Sequence, residues 1–417
     1  MDVSLTDLGA VPGQEIGLLL QTAVNTVGLA GGGRVLIPSG YWQIDGTRFI
    51  WIKYDNVQIE GVGGTVVEIV NWQPYIPEVD GTANNHATFL VGSVDADVSN
   101  FGMRRIRFIS EWDVDTHAPF GIQGDAKGLL FIGHPLQTTT RVYNTIVEDI
   151  RTDRCGSYLV AVSGRIDGLI IRRCSVNDQY FSGFACVGAQ LLQTPLITDC
   201  SASKIKGHGV QWTGHAHIER FRAYDCRSSG IFMINADDAS PWTLIDGGRI
   251  DRCGNYPSTL IAGASVIVGG EIYGGRQVIV RGVTMTDSYG SGVCWGGGQV
   301  KNIIVEDCII HGLGLGCGTD EPSRAGFGKE SGIQPIAGIS LGGYRILVRR
   351  NSILGDHTGF TAGEVAVRNG IWLGATESNG ETFRADMVGW PDCAYGDSIG
   401  GTYGDSRVSL PSNASDS

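Results

Sequence analysis

The sequence predicts an all-β chain wound as a right-handed parallel β-helix, a solenoid with a capping helix at its N-terminus, and three observations carry that expectation. A phrase of one apolar residue, two polar residues and a small apolar residue recurs, as in Ile171-Arg172-Arg173-Cys174 and Val305-Glu306-Asp307-Cys308. Its last position falls at Val62, Ile106, Ile150, Cys174, Cys200, Cys226, Cys253, Val283, Cys308 and Asn351, in steps of 24 to 30 residues apart from three of 43 or 44. Such a period marks stacked supersecondary units, and the long steps are units carrying an insertion or a missed turn. A second phrase, Gly followed by a short apolar strand, recurs between the first at Gly183-Phe184-Ala185-Cys186-Val187, Gly209-Val210-Gln211-Trp212, Gly230-Ile231-Phe232-Met233-Ile234, Gly292-Val293-Cys294-Trp295 and Gly370-Ile371-Trp372-Leu373. Two strand phrases per unit, joined by Gly, Ser, Asn and Asp, leave no room for a long helix. The composition agrees: 63 of 417 residues are Gly and only 18% are charged, which suits short strands separated by tight turns. Coils of this kind stack at roughly 4.8 Å, and none can bury its inner face without its neighbours.

Taken in order, residues 1–50 form the cap segment. Ile16, Leu19, Leu20, Val24 and Val27 make an apolar stripe at helical spacing, suited to covering the open first coil and its unpaired backbone edge. Residues 51–375 carry the coils and their inserted loops, and 376–417 form a coil-like tail whose last residues, Ser409 to Ser417, are polar and poor in apolar side chains. An elongated solenoid grows beyond the usual single-domain length without splitting, so one principal domain is expected.

Four ordered motifs in the first seventy residues carry a resemblance. They are Val3-Ser4-Leu5-Thr6-Asp7-Leu8-Gly9-Ala10, the helix-like Ile16 to Val27, Gly31-Gly32-Gly33-Arg34-Val35-Leu36-Ile37-Pro38-Ser39-Gly40-Tyr41, and Val57-Gln58-Ile59-Glu60-Gly61. Together they resemble the entry segment of pectate-lyase-superfamily β-helices, in the version found at the start of phage tailspike depolymerases and several polysaccharide-degrading enzymes. The chain departs from the phage version where that carries an Asp-rich stretch, having Val11-Pro12-Gly13-Gln14-Glu15 instead. The resemblance implies a scaffold and, with it, a homotrimer and a polysaccharide or oligosaccharide partner; chemistry must be argued from the site.

Five of the ten cysteines, Cys174, Cys200, Cys226, Cys253 and Cys308, share the last position of the first phrase. This predicts an internal column of buried thiols, because free Cys behaves as a small hydrophobe. No Cys/His spacing suggests zinc, and neither a metal nor another cofactor is expected. The net charge of −12 argues against a nucleic-acid or anionic-membrane partner. The start, Met1-Asp2-Val3-Ser4-Leu5, has no basic and apolar leader, which with reduced cysteines favours assembly in a host cytoplasm into a phage virion; a trimmed start would instead allow secretion.

Outward residues at one repeat position become neighbours on adjacent coils. The turns before the Gly-strands hold Asn177-Asp178-Gln179-Tyr180, Lys204-Ile205-Lys206-Gly207-His208, Arg227-Ser228-Ser229 and Thr286-Asp287-Ser288-Tyr289. Past those strands lie Trp212, Asn235-Ala236-Asp237-Asp238 and Trp242. Paired carboxylates supply the acid and the base or nucleophile of glycoside hydrolysis, and aromatic faces stack on sugars. The candidate catalytic residues are therefore Asp237 and Asp238, with His208 as proton carrier and Asp178 or Asp287 completing the pair. The candidate substrate-binding residues are Trp212, Gln211, Lys206, Tyr180, Tyr289 and Trp242. The Asp-Asp and Gly-His-Gly phrases superficially resemble polygalacturonase-type hydrolases, but Gly207-His208-Gly209 precedes Asp237-Asp238 here, the reverse of that family's order. A turn-capping role accounts for Asp237 and Asp238 equally well, and His208 is as readily a structural turn histidine.

Other candidates have simpler readings. The pairs Arg172-Arg173, Thr198-Asp199, Tyr224-Asp225, Asp251-Arg252, Glu306-Asp307 and Arg349-Arg350 are expected to form a solvated ladder of opposite charges. His215 and His217 lack a third ligand for a metal. The inserted stretches Glu111-Trp112-Asp113-Val114-Asp115-Thr116-His117 and Gly312 to Gly332 are recognition loops by position. Three function classes stay open: a polysaccharide-degrading hydrolase, a non-catalytic virion fibre, and a secreted lyase or epimerase.

Overall fold

The computed structural model describes residues 1–71, 87–110, 128–133, 139–186, 188–235, 240–254, 264–269, 275–295, 300–312, 337–341, 344–354, 369–373 and 394–395. They form two compact units, Met1–Lys206 and Gly207–Ser417, each a stack of parallel β-coils. The expected loops at 111–117 and 313–332 lie outside the described residues, as does the expected tail apart from Ala394–Tyr395, a short strand in parallel register with Leu347 and Val348.

In the first unit, one side of the stack consists of Ile50–Ile52, Ala87–Val91, Gly128–Ile132, Val160–Val162 and Ser182–Cys186. Their register aligns Ile50, Phe89, Leu130, Val160 and Phe184 in a single column. A second side aligns Trp42, Val67, Phe108, Thr152, Val176 and Ala202. Both columns are buried, and Phe89 meets Phe108 edge to face with ring centroids 5.6 Å apart. Each large apolar side chain so buried stabilises the stack by about 1.5–3 kcal/mol.

The cap is a single helix, α1 (Gly17–Leu29), which buries Leu20, Ala23, Val24 and Val27 and packs on Asp2–Ser4, Gly33–Ile37 and Ile50–Ile52. Its first amide, from Gly17, donates to Glu15 Oε1 at 2.8 Å, satisfying one of the amides that a helix start leaves without an intrahelical acceptor.

The second unit repeats the plan. Val210, Ile231, Val266, Val293, Ile339 and Ile371 stand in register on six parallel strands. All five Gly-strand phrases of the sequence fall on strands of this kind. The glycine has a packing cause: a Cβ on Gly230 would stand 2.5 Å from Ile250 Cγ2, and one on Gly292 would stand 2.6 Å from Ile310 Cγ2. At these two positions the backbone therefore lies too close to its neighbours for a side chain without a shift, whereas the strand between them carries Ser265 in the same register.

The two 44-residue steps of the first unit are single coils with insertions, not missed turns. Asn56, Asn100 and Asn144 occupy one turn position in the left-handed region, with φ of 59°, 55° and 55°, which Asn tolerates better than most residues. Their amides form a ladder: Asn100 Nδ2 donates to Asn56 Oδ1 at 2.8 Å, and Asn144 Nδ2 to Asn100 Oδ1 at 3.2 Å.

All eight described cysteines are buried thiols, as expected, but they do not form one column. In the first unit Cys174 and Cys200 stack, the Cys174 amide donating to Cys200 Sγ at 3.4 Å, while Cys155 lies at another corner beside Gln179. In the second unit Cys226 stacks on Cys253, and Ser288 rather than Val283 follows it, its hydroxyl donating to the Cys253 carbonyl at 3.3 Å. Val283, Cys308 and Asn351 make a separate line, in which Asn351 Oδ1 accepts the Cys308 amide at 3.0 Å. Both corners recur at the same period and both favour a small filler after two polar residues, so spacing alone does not distinguish them. Burial pushes the Cys308 thiol up to about 12, which leaves it unreactive at neutral pH.

The charged ladder is present and is less solvated than its sequence suggests. Glu148 is held by Arg172 at 2.6 Å and Arg173 at 3.0 Å, and Asp149 takes two bonds of 2.8 Å from Arg173. Glu306 and Asp307 pair in the same way with Arg349 and Arg350. Glu60, Glu148 and Glu306 are nevertheless nearly inaccessible, each lying against the guanidinium group of an arginine on the neighbouring coil, Arg104, Arg172 and Arg349 respectively.

Candidate functional site

In the strand His208–Thr213 two successive residues, Gly209 and Val210, are buried, with Val210 in the inner column. This break in the two-residue alternation puts His208 on the same outer face as Gln211 and Thr213. The next strand, Ser229–Ile234, repeats the offset, so Ser229 lies beside His208 and Phe232 beside Gln211. Along the same face Phe232, Ala264, Ile267 and Cys294 form a buried apolar cluster, with Ile234 packed on it. The outer face of the sheet thus carries a covered apolar cluster, bordered by the partly exposed His208 and Gln211.

His208 is the chemically distinctive residue of that edge. Its Nδ1 lies 2.6 Å from Ser229 Oγ, and its ring lies on Phe232 at 4.8 Å between centroids with planes inclined by 31°. Burial pushes the imidazole down to about 3, because a cation between an aromatic ring and the sheet would be poorly solvated. It is therefore neutral across the physiological range.

Trp212, expected as a sugar-stacking platform, belongs instead to the core. It is wholly buried, and its indole Nε1–H donates to the His215 carbonyl at 3.2 Å. Its position one residue beyond Gln211 places it on the opposite face of the strand. Trp242 is 42% exposed, so an accessible aromatic does exist close by in sequence. Asp237 and Asp238 lie outside the described residues.

Asp287 sits in a left-handed turn, with φ of 51°, at the coil whose strand begins with Ser291. Ser291 is in register with Ala264, and Ala264 with Ser229, so that coil is three strands from His208, roughly 14 Å at the usual inter-strand spacing. Asp287 and its neighbour Tyr289 therefore stand apart from His208, while the pairing expected of Asp287, with Asp237 or Asp238, lies outside the described residues. Asp178, Tyr180 and Lys206 belong to the first unit. Asp178 occupies a left-handed turn, with φ of 54°; burial raises its carboxyl above the usual range, opposed by the charges of Arg154, Lys206 and Lys204. The Lys206 amide donates to the Gln179 carbonyl, and that of Tyr180 to Gly156.

Ser229 and Phe232 were not singled out by sequence reasoning. The available signal was their place in the Arg227-Ser228-Ser229-Gly230 turn, one coil after Gly207-His208-Gly209, where a shared position before Gly implies direct contact.

A scan against protein-family models found no match, and a search of curated proteins found none either. Among solved structures, the A-module of the mannuronan C-5 epimerase AlgE4 from Azotobacter vinelandii is similar over 98% of this chain and 96% of its own, with a TM-score of 0.55 and 16% identity. The catalytic domain of Agl-KA is similar over 91% of this chain and 67% of its own, with a TM-score of 0.50 and 14% identity. A protein of Geobacillus virus E2, ORF18, has a TM-score of only 0.39, too low to bear on the argument. The chain thus has the parallel β-helix fold. At these identities the likeness concerns the fold alone.

Proposed function

We propose that this chain is a carbohydrate-active β-helix protein that recognises and cleaves a polysaccharide on the outer face carrying His208 and Gln211. The observation that carries the proposal is the end-to-end likeness to a module named as a mannuronan C-5 epimerase, covering nearly all of both chains. The site is compatible with that reading: a neutral imidazole and an amide stand partly exposed on one face, polar groups suited to fixing a hydroxyl-bearing ligand. In this proposal Asp237 or Asp238, which follow the Ser229–Ile234 strand closely in sequence, supplies the acid or base, and Trp242 offers a stacking surface. The setting proposed is a phage virion, with three chains per particle.

The name of the same structural neighbour favours a second reading, epimerisation or lysis of a uronate polymer. One product analysis separates the two. Incubation with surface polysaccharides and with mannuronan is expected to release reducing ends without unsaturated sugar if the protein is a hydrolase. Unsaturated uronate identifies a lyase, and inversion at C-5 in an uncut chain identifies an epimerase. Asp237→Asn and Asp238→Asn are expected to retain wild-type thermal stability, while one of them lowers turnover by roughly a hundredfold or more. Wild-type protein that binds glycan yet yields no product would establish a non-catalytic fibre, and equal activity in both variants would dismiss the aspartates.

A further inference from the structure

We propose that Ser229 fixes the neutral ring of His208 as the Nε2–H tautomer, making His208 a hydrogen-bond donor toward a sugar oxygen and not the base of the reaction. The ligand half of this inference rests on the carbohydrate reading above, whereas the tautomer rests on geometry alone.

A neutral imidazole carries one proton, on Nδ1 or on Nε2, and the partner of one nitrogen decides which. Here Nδ1 is 2.6 Å from Ser229 Oγ. Either the serine hydroxyl donates to Nδ1, or Nδ1–H donates to the serine oxygen. The two arrangements differ in what happens to the hydroxyl proton. Ser229 is wholly buried, and among the described residues its Oγ has no hydrogen-bond partner except His208 Nδ1. If Nδ1 were the donor, the hydroxyl hydrogen would be buried without an acceptor, at a cost of about 1–3 kcal/mol, equivalent to a preference of roughly 5-fold to 150-fold. The hydroxyl therefore donates, Nδ1 accepts, and the proton resides on Nε2.

The other edge of the ring is thereby defined. Nε2 has no hydrogen-bond partner among the described residues, and His208 keeps partial exposure on the outer face. The low basicity of the imidazole supports the same role, since a ring so hard to protonate does not accept a proton near neutrality. What it presents is an N–H group held in place by Phe232 beneath the ring and Ser229 behind it. The matching ligand group is an acceptor such as a sugar hydroxyl, ring or carboxylate oxygen. Ser229 is a positioning residue, acting only through His208.

The experiment is long-range proton–nitrogen correlation of the full chain labelled with 15N-histidine, which distinguishes the two neutral tautomers by the pattern of ring cross-peaks. The His208 resonances, assigned by their loss in His208→Gln, are expected to show the Nε2–H pattern at neutral pH. Ser229→Ala should shift them toward a mixture, and Ser229→Thr, which restores a hydroxyl, should return them. An Nδ1–H pattern in the wild type, or a pattern unmoved by Ser229→Ala, overturns the tautomer assignment. Titration with mannuronan oligosaccharides, and with neutral oligosaccharides in parallel, should then move the Nε2 resonance. If none moves it while the Nε2–H pattern stands, the carbohydrate reading has failed and the tautomer has not.

Discussion

The neutral His208 has a thermodynamic signature of its own. Its pKa is about 3 in the folded chain and about 6.5 in an unfolded one, so between those values the unfolded state binds more protons. Stability must therefore rise with pH from about 3 to 6.5 and be flat above, with a slope contributed by this one group of at most about 1.4 kcal/mol per pH unit. The paired aspartates act lower down. Arg173 holds the Asp149 carboxyl below its usual range, and Arg350 does the same for Asp307, so their contributions are present above about 3.9 and vanish as pH falls through the depressed values. His208→Gln should accordingly flatten the decline between pH 6 and about 4 and leave the steeper loss below it. Urea midpoints measured across that range test this; parallel curves for variant and wild type would mean that the ring is solvated well enough to charge in the folded state.

At the scale of the element, the asparagine ladder offers the sharpest test of what the turns contribute. Asn100 donates to Asn56, accepts from Asn144 and holds a positive φ. Asn100→Gly removes both side-chain bonds but keeps the backbone at ease, whereas Asn100→Ala also bears the left-handed penalty of about 1–2 kcal/mol. The alanine variant should therefore unfold at lower urea than the glycine variant, by roughly 1 kcal/mol in stability. Equal midpoints would show that the turn relaxes out of the left-handed region when the ladder is cut. This ladder also illustrates what was legible beforehand. The 44-residue step was visible in the sequence, but whether it hid one coil or two depended on a bond between Asn56 and Asn100. The Gly-strand phrases were readable because the glycine stands at one fixed place before an apolar run, and at Gly230 and Gly292 a close approach to Ile250 and Ile310 accounts for it. The cysteine column was misread because two corners share one period, and Trp212 because Gly209 and Val210 are both buried and shift the alternation by one. Repetition encodes where strands lie; which face a given side chain takes depends on local departures from it.

For the whole molecule, the cap and the coils divide the labour of stability. Helix α1 closes one end of the first unit with Leu20, Ala23, Val24 and Val27, and a stack of coils must keep its exposed strand edges from pairing with other chains. The proposed trimer is one way to meet that need, and sedimentation at micromolar concentration should find about three chains per particle. A monodisperse monomer would remove any site shared between subunits.

The bond between Asn56 and Asn100 spans 44 residues, and that between Cys174 and Cys200 spans 26, yet both join adjacent coils. By the logarithmic law of loop closure, the longer excursion costs only about 0.5 kcal/mol more. Each long coil is therefore a socket: its register is held by the turn residues on either side, and whatever is spliced between them has little influence on whether the coil closes. A lineage can exchange such segments wholesale, trading one recognised surface for another while the scaffold beneath stays the same, and an engineer can do likewise at the same three places.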